Sequence, residues 1–281
     1  MRVIFATLCA MNDDGIEFHV EDSGLAILRV NRPDARNALN WAAQEAFAAA
    51  VMRVAQTAVS PDPAIRALII TGTGDKAFVA GGDLKELRAY PEPEAGARLN
   101  RIMGTALAQL TELPMPVIAA VNGDAFGGGC EILTACDLRL AAAHAHFSFA
   151  QVKVSLTTGW GGTGRLVRLI GQSRAMELLL TARLIDTEEA YRLGLIHRIV
   201  PAADDVLQMA RAWAAELIAL PQQALAFTKE LVHTASHATL VETYWQETKL
   251  FTKLWASPNH LEALAAFREK RPAVFNKEKG D

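Results

Sequence analysis

Short apolar runs alternate with longer amphipathic stretches along the first two hundred residues of the chain. Runs rich in Val, Ile, Leu and Ala predict strands at 16–20, 25–30, 67–71, 117–121, 138–141 and 196–200. The stretches between them predict helices at 41–58, 94–113, 128–136 and 162–170, a short helix that ends at Gly194, and extended chain at 147–155. Strands that recur with helices between them favour an α/β fold with a buried core.

The last eighty residues or so have a different pattern. From about residue 204 to 267 the apolar positions recur at helical spacing, with breaks at Pro221, Ser236 and Pro258. We therefore divide the chain into a mixed core at 15–200 and a helical region at 201–281.

Composition and charge exclude several classes of protein. A chain of 281 residues with a net charge of -3 and no cluster of Lys and Arg among aromatics is not expected to bind nucleic acid. No apolar run reaches the roughly 18 residues of a membrane span. The cysteines, Cys9, Cys130 and Cys136, are odd in number and form no CxxC pair, which favours a reducing, cytoplasmic location.

The first residues of the chain need a separate explanation. Residues 3–11 are apolar and follow a single Arg2, without the charged region or the cleavage site of a signal peptide. We predict that residues 1–14 are an N-terminal extension of the domain.

Two glycine-rich loops are the most informative chemical feature. They cover residues 77–83 and 122–131, and each follows an apolar strand-like run and leads into a helix. Glycine lets the backbone approach a ligand closely, and the start of a helix leaves N–H groups without partners. Two such loops can aim two N–H donors at one oxygen atom, which is the physical description of an oxyanion hole.

Six motifs in order resemble the crotonase (enoyl-CoA hydratase/isomerase) superfamily. They are the two glycine loops, Asn31-Arg32-Pro33, Asn37-Ala38-Leu39, Gly162-Thr163 followed by Arg165-Leu166, and residues 266–272. The resemblance covers about residues 15–276. It implies a spiral of ββα units that carries an acyl-CoA site in the core, and a C-terminal helical region that forms a homotrimer or a dimer of trimers. It implies no metal or redox cofactor, because coenzyme A enters only as part of the substrate.

The same resemblance assigns candidate catalytic residues. The amide donors for a thioester enolate correspond to Gly82 and Gly128. Fixed donors of this kind stabilise the developing charge without reorganising, each by about 3 kcal/mol in comparable sites. Glu131 corresponds to one of the two family glutamates that hold a water, deliver its oxygen to the β-carbon and protonate the α-carbon.

The second family glutamate falls on Gln151, which neither accepts nor releases a proton near neutral pH, although its amide can hold a water or a carbonyl. Three interpretations stay open. The chain is a hydratase that works through Glu131 alone, or it catalyses another enolate reaction, such as isomerisation or decarboxylation of a malonyl-type thioester, or it is an acyl-CoA-binding subunit without turnover. Residues 134–137 and 160–163 resemble the ethylmalonyl-CoA decarboxylase branch.

Further residues are candidates for contact with the acyl group or with coenzyme A. They are Arg36, Ala80, Lys85, Trp160, Phe267 and Lys270. The large ring of Trp160 stands where the family commonly has a small residue, which predicts a narrower or reshaped acyl pocket. Arg36 and Lys85 are possible phosphate contacts. Phe267 and Lys270 resemble residues that reach the nucleotide of coenzyme A from a neighbouring subunit.

Overall fold

The computed structural model describes residues 14–58 and 65–276, so Cys9 and nearly all of the predicted N-terminal extension lie outside the described residues. The strands are β1 (Ile16–Val20), β2 (Leu25–Val30), β3 (Ala67–Gly72), β4 (Ala77–Val79), β5 (Val117–Val121), β6 (Asp124–Phe126), β7 (Leu138–Ala142), β8 (His146–Ser148), β9 (Ile185–Asp186) and β10 (Arg198–Val200).

The α-helices are α1 (Trp41–Thr57), α2 (Leu84–Leu87), α3 (Pro93–Glu112), α4 (Gly128–Ala135), α5 (Gly162–Ile170), α6 (Gln172–Thr181), α7 (Thr187–Leu193), α8 (Val206–Ile218), α9 (Gln222–Ala235), α10 (Leu240–Trp255) and α11 (Pro258–Glu269). Two short 3-10 helices cover Pro33–Ala35 and Ala150–Val154.

The strands that were predicted from apolar runs form one six-stranded sheet. Its order is β1-β2-β3-β5-β7-β10, with an antiparallel β1–β2 hairpin and parallel pairing elsewhere. Every residue of β3 and β5 is buried, as expected for parallel strands that are covered on both faces. Helix α8 packs against β3 and β5, and α1 packs against α3. The predicted α/β architecture is therefore confirmed.

A second, smaller sheet has the order β4-β6-β8-β9. Strands β4, β6 and β8 are mutually parallel, and β9 runs antiparallel to β8. The prediction of extended chain over 147–155 is wrong after Ser148. The backbone turns there into the 3-10 helix Ala150–Val154, which ends at Ser155 in a left-handed conformation with φ 59°.

The C-terminal helices end where the sequence predicted breaks. Helices α8, α9 and α10 stop just before or close to Pro221, Ser236 and Pro258. Helix α8 buries Val206, Ala210 and Ala214 against the core. Helices α9 to α11 bury far less, and they leave large apolar side chains exposed, among them Val232, Leu240, Val241, Tyr244, Trp245, Phe251, Trp255, Leu261, Leu264 and Phe267.

Candidate active site

The three segments of the candidate site follow three neighbouring parallel strands. Strand β4 ends at Val79, β6 at Phe126 and β8 at Ser148, and β6 lies between the other two. Because parallel strands end at the same edge of a sheet, the residues that follow them meet there. The first glycine loop, the start of α4 and the 3-10 helix that carries Gln151 are thus brought together from distant parts of the sequence.

Glycine allows the two loops to touch. Gly81 has a left-handed backbone with φ 95°, and a Cβ atom placed on it would lie 3.1 Å from the backbone nitrogen of Gly128. A Cβ on Gly129 would overlap the carbonyl oxygen of Val79. The close approach of the two segments therefore requires residues without side chains at these positions.

The backbone N–H groups of Gly82 and Gly128 have no acceptor among the residues that the structure describes. Leu39 donates to the carbonyl oxygen of Gly81 (2.8 Å) and accepts from the N–H of Asp83 (2.9 Å), which fixes the loop on both sides of Gly82. Gly128 is the first residue of α4, where the N–H groups lack intrahelical partners and the helix dipole is positive. Both amides are thus free to donate to a ligand.

Both loops line a cavity of about 580 Å³, a volume typical of small-molecule sites. Six of the predicted site residues line this cavity: Ala80, Gly82, Gly128, Glu131, Gln151 and Trp160. Much of the remaining wall is apolar and includes Leu84, Leu87, Leu99, Phe126, Val154 and Leu156. The cavity thus joins free amide donors to a mainly apolar chamber, which suits the acyl part of a thioester.

The other four predicted residues do not line this cavity. Arg36 pairs with Asp124 (2.6 Å), and its guanidinium lies over the ring of Phe126. Lys85 is exposed on α2. Phe267 is 87 % exposed on α11, and Lys270 ends that helix with a left-handed backbone.

Glu131 is buried, and four N–H groups surround its carboxylate. The backbone amides of Trp160 and Gly162 each donate to Oε2 at 2.8 Å. The side-chain amide of Gln151 (2.9 Å) and the backbone amide of Gly159 (3.3 Å) donate to Oε1. A carboxylate offers about four lone-pair positions, so these donors occupy all of them.

Burial and hydrogen bonding act in opposite directions on Glu131. Burial is the largest influence and raises the pKa of the carboxyl above its usual range, because the charged form loses its hydration. The four N–H donors stabilise the charged form and lower the pKa. The balance leaves the pKa raised, which is a property common among catalytic carboxyl groups.

Gln151 is oriented by its neighbour. Its Nε2 donates to Glu131, and its Oε1 is buried without a hydrogen-bond partner in the described part of the chain. An ionised carboxylate only accepts hydrogen bonds, so it selects the amide orientation that points the nitrogen toward it. The structure thus places Gln151 beside Glu131, where it acts as a donor to the carboxylate.

Trp160 forms a wall of the cavity and is only 3 % exposed. Its ring packs directly on Gly128, since a Cβ atom on that glycine would overlap the six-membered ring. The backbone of Trp160 is held at both ends, because its N–H donates to Glu131 and its carbonyl oxygen accepts from Arg165 (2.6 Å). The indole is therefore a fixed surface next to one of the free amides.

Sequence reasoning missed one side of the cavity. Trp41 lines it from α1, Arg88 and Tyr90 from the segment between α2 and α3, and Asn100 from α3. No motif marks these residues. The one available signal was that Leu84 and Leu87 follow directly after the first glycine loop, in α2, which indicates an apolar surface beside that loop.

Asp83 and Glu86 do not form the capping box that their spacing suggests. Asp83 accepts from the N–H of Lys85 and pairs with Arg32 (3.1 Å), whereas Glu86 accepts from the N–H of Trp41 (2.9 Å). Both carboxylates thus have partners, and neither Asp83 nor Glu86 lines the cavity.

Within residues 14–58 and 65–276, no group of His, Cys, Asp and Glu is arranged to hold a metal ion, and no helix is long and apolar enough to cross a membrane. The imidazoles of His144 and His146 contact the Asp75 carbonyl oxygen and the Asp124 carboxylate, respectively.

Comparison with known proteins identifies the class to which this fold and site belong. The family model described as Enoyl-CoA hydratase/isomerase matches residues 20–278. The chain therefore belongs to the enoyl-CoA hydratase/isomerase, or crotonase, superfamily.

Individual relatives agree with this assignment over nearly the whole chain. Crotonyl-CoA hydratase of Syntrophomonas wolfei is 39 % identical over 259 residues, which cover 91 % of this chain and 95 % of the relative. A probable enoyl-CoA hydratase of Mycobacterium bovis is 39 % identical over 254 residues, which cover 90 % and 95 %. The crystal structure of an enoyl-CoA hydratase from Bacillus anthracis superposes with a TM-score of 0.87 at 32 % identity, covering 94 % of this chain and 100 % of that one.

Proposed function

We propose that this chain is an acyl-CoA enzyme that stabilises a thioester enolate with the backbone N–H groups of Gly82 and Gly128. The observation that carries the proposal is the pair of unpartnered amides, on two touching loops, at the wall of one mainly apolar cavity. Such donors stabilise an enolate oxygen because they are already in place when the charge develops. The names of the relatives favour 2-enoyl thioesters as substrates and hydration or isomerisation as the reaction.

Proton transfer falls to Glu131, which is the only carboxylate among the described residues that line the cavity. In hydration, the oxygen of water bonds to the β-carbon while one proton of the water passes to Glu131, and the enolate forms. Glu131 then delivers a proton to the α-carbon. Glu131 exchanges that proton only after one of its four N–H donors has moved away. Gln151 supplies the only side-chain donor among the four, so rotation of its amide is the simplest way to uncover the carboxylate.

A second candidate reaction is favoured by the same crowding around Glu131. In decarboxylation of a malonyl-type thioester, the bond between the α-carbon and the carboxylate breaks and its electrons form the enolate. Carbon dioxide leaves, and the α-carbon then takes up a proton. No residue has to remove a proton, so a glutamine at position 151 and an occupied carboxylate at position 131 are compatible with this route.

The coenzyme A contacts and the assembly belong to the proposal as well. Arg36, Lys85 and, from a neighbouring subunit of a homotrimer or a dimer of trimers, Phe267 and Lys270 are proposed to meet the nucleotide part of the substrate. The exposed apolar side chains of α9 to α11 support an assembly through these helices. We propose a cytoplasmic enzyme without a bound cofactor.

Product analysis tests the proposal. The purified protein is incubated with crotonyl-CoA, a 3-enoyl-CoA and methylmalonyl-CoA in deuterated water, and the products are identified by mass. Hydration adds the mass of water and decarboxylation removes that of carbon dioxide. Isomerisation leaves the mass unchanged apart from any deuterium taken up, so its product is recognised by its chromatographic retention. Tight binding without any product would indicate a non-catalytic acyl-CoA-binding subunit. Glu131→Gln is expected to lower any turnover, and unchanged rates in that variant would contradict the role given to Glu131.

A further inference from the structure

The part of the cavity lining between residues 88 and 100 carries polar groups that the proposed thioester chemistry does not use. Arg88, Tyr90 and Asn100 line the cavity, and no hydrogen bond or ion pair of their side chains occurs within the described residues. Arg88 and Glu131 are the two charged residues in the lining. The wall therefore offers a cation and polar groups without an internal partner.

Asp83, Glu86, Glu92 and Glu94 lie within six residues of Arg88, and none of them pairs with its guanidinium in the part of the chain that the structure describes. Asp83 pairs with Arg32, and Glu86 accepts the N–H of Trp41. Glu131, the only acidic residue of the lining, is occupied by four N–H donors. Arg88 is itself exposed, so its guanidinium stands without a counter-charge at the solvent-facing rim of a mainly apolar cavity, where it can pair with an anionic group of a ligand.

We propose that Arg88 binds a carboxylate at the far end of the acyl chain, so that the preferred substrates are coenzyme A monothioesters of dicarboxylic acids. The inference rests on the proposed function, because it takes the thioester to lie at Gly82 and Gly128. Arg88 directly follows α2, the short helix that begins two residues after Gly82, and both residues line the same cavity, so an acyl chain that starts at Gly82 can extend toward Arg88. Tyr90 and Asn100 supply further donors for the carboxylate oxygens.

A phosphate of coenzyme A can also pair with a guanidinium. The experiment therefore has to distinguish a carboxylate of the acyl chain from a phosphate of coenzyme A. Dissociation constants and kcat/KM are measured for glutaconyl-CoA and hex-2-enedioyl-CoA. Each is compared with a neutral thioester of equal shape, 5-methylhex-2-enoyl-CoA or 6-methylhept-2-enoyl-CoA, in which an isopropyl group replaces the carboxylate. The same four acyl groups are then tested as pantetheine thioesters, which lack the nucleotide and its phosphates.

The wild-type protein is expected to prefer the carboxylate-ended thioesters by about fivefold or more, as estimated for a partly exposed charge pair. Arg88→Met should remove the preference by weakening only the carboxylate-ended ligands, on both carriers, and Arg88→Lys should retain part of it. Arg101→Met, which removes an exposed cation of α3 outside the cavity lining, is the matched control and should change nothing.

Two results would overturn the inference. The wild-type protein would show no preference, or Arg88→Met would weaken all coenzyme A thioesters equally and no pantetheine thioester, which would assign Arg88 to a phosphate. The neutral thioesters test the proposed function on their own. If they neither bind nor react, the thioester proposal itself fails, and if they do while the preference is absent, only the role of Arg88 is wrong.

Discussion

At the scale of single residues, the contact between Gln151 and Glu131 governs which chemistry the cavity can support. The amide nitrogen of Gln151 lies 2.9 Å from a carboxylate oxygen and thereby occupies the position at which a proton would be exchanged. Gln151 therefore has two effects: it stands where a second acid would be, and its amide covers the carboxylate of Glu131. This is the physical reason that hydration and decarboxylation both remain compatible with one constellation of residues.

Replacement of Gln151 by glutamate tests this interpretation. In Gln151→Glu a second carboxyl group would stand next to that of Glu131, at about the 2.9 Å that now separates the Gln151 amide nitrogen from the Glu131 carboxylate oxygen. Two carboxylates this close cannot both stay ionised, so the two groups would share one proton near neutral pH. Hydration of crotonyl-CoA is expected to rise by about tenfold or more, at the low end of general acid–base catalysis. The measurement is the rate of hydration as a function of pH. Gln151→Leu serves as the control, and an equal rise in that variant would show that removal of the amide, not the added acid, is responsible.

Gly128 and Trp160 form a second residue pair, which a double-mutant cycle can measure. Gly128→Ala places a methyl group where the indole ring lies, so we expect a loss of about 1–3 kcal/mol in the free energy of unfolding. Trp160→Ala removes the obstacle, and in that background the added methyl group should cost less, with a coupling energy of about 1–3 kcal/mol. Denaturant unfolding of the four proteins gives the coupling.

The control for this cycle is Gly164→Ala. Gly164 lies within α5, and no atom comes within 4 Å of the position that its Cβ would occupy. This variant should be unchanged or more stable by up to about 1 kcal/mol, because alanine is the better helix former. Strictly additive effects of Gly128→Ala and Trp160→Ala would contradict the packing that the structure gives to the indole.

At the scale of elements, the sequence predicts the large sheet much better than the small one. Strands β3 and β5 contain continuous apolar runs of four and five residues, which is long enough for a pattern to be read. Strands β4, β6 and β8 have three residues each, too few to show a period, although they are the strands that bring the site together. The glycine motifs located the site even though the supporting strands were not recognised.

The residues that sequence reasoning missed have a common physical cause. Arg88, Tyr90 and Asn100 belong to the site because α2 and α3 fold over the cavity, and neither residue type nor local spacing reveals such tertiary proximity. The 3-10 helix that carries Gln151 was likewise mistaken for extended chain, since Val152 and Val154 have high strand propensity. Here the left-handed turn at Ser155 and tertiary packing override that local preference.

His197, the residue before β10, leads to a prediction about how the stability of the fold depends on pH. The N–H of Arg139 in β7 donates to Nδ1 of His197 (3.2 Å), whose ring meets Trp213 of α8 edge-on. Burial, followed by the charge of Arg139, lowers the pKa of His197 to about 4. An unfolded histidine titrates near pH 6.5, so between about pH 6.5 and 4 the unfolded chain binds a proton that the folded chain does not. Stability should therefore fall as the pH falls through this window.

Urea unfolding at pH 7.5, 6 and 5 measures the effect of His197. The loss should stay below about 1.4 kcal/mol per pH unit, the slope for one full proton, because the imidazole is partly exposed to solvent. In His197→Asn the side-chain oxygen can still accept from Arg139, but the group no longer titrates. We expect that variant to lose less stability between pH 7.5 and 5, and equal losses in both proteins would assign the acid sensitivity to other groups.

At the scale of the whole molecule, the proposed function needs more than one cavity. In that proposal the cavity holds the acyl group and the thioester, but its described lining contains none of Arg36, Lys85 and Lys270, the cations proposed to meet the nucleotide. Lys270 lies on α11, and the same C-terminal helices leave most of their large apolar side chains exposed. Both observations fit a subunit that completes its substrate site by association with a second copy.

Substitution of Lys270 tests whether a second copy of the chain contributes to the substrate site. Lys270 has a left-handed backbone with φ 54°, so Lys270→Asn removes the charge with less strain than alanine would introduce. If Lys270 meets a phosphate of a neighbouring subunit's substrate, the KM for acyl-CoA should rise severalfold with little change in kcat, because the contact lies far from the reacting atoms. The KM for the pantetheine thioester should stay the same, since that substrate has no nucleotide. Trp245→Glu, which puts a charge on an exposed aromatic of α10, should raise the KM for acyl-CoA in the same way and reduce the molar mass seen in light scattering. An unchanged KM in Lys270→Asn, in a protein whose assembly is intact, would exclude the phosphate contact.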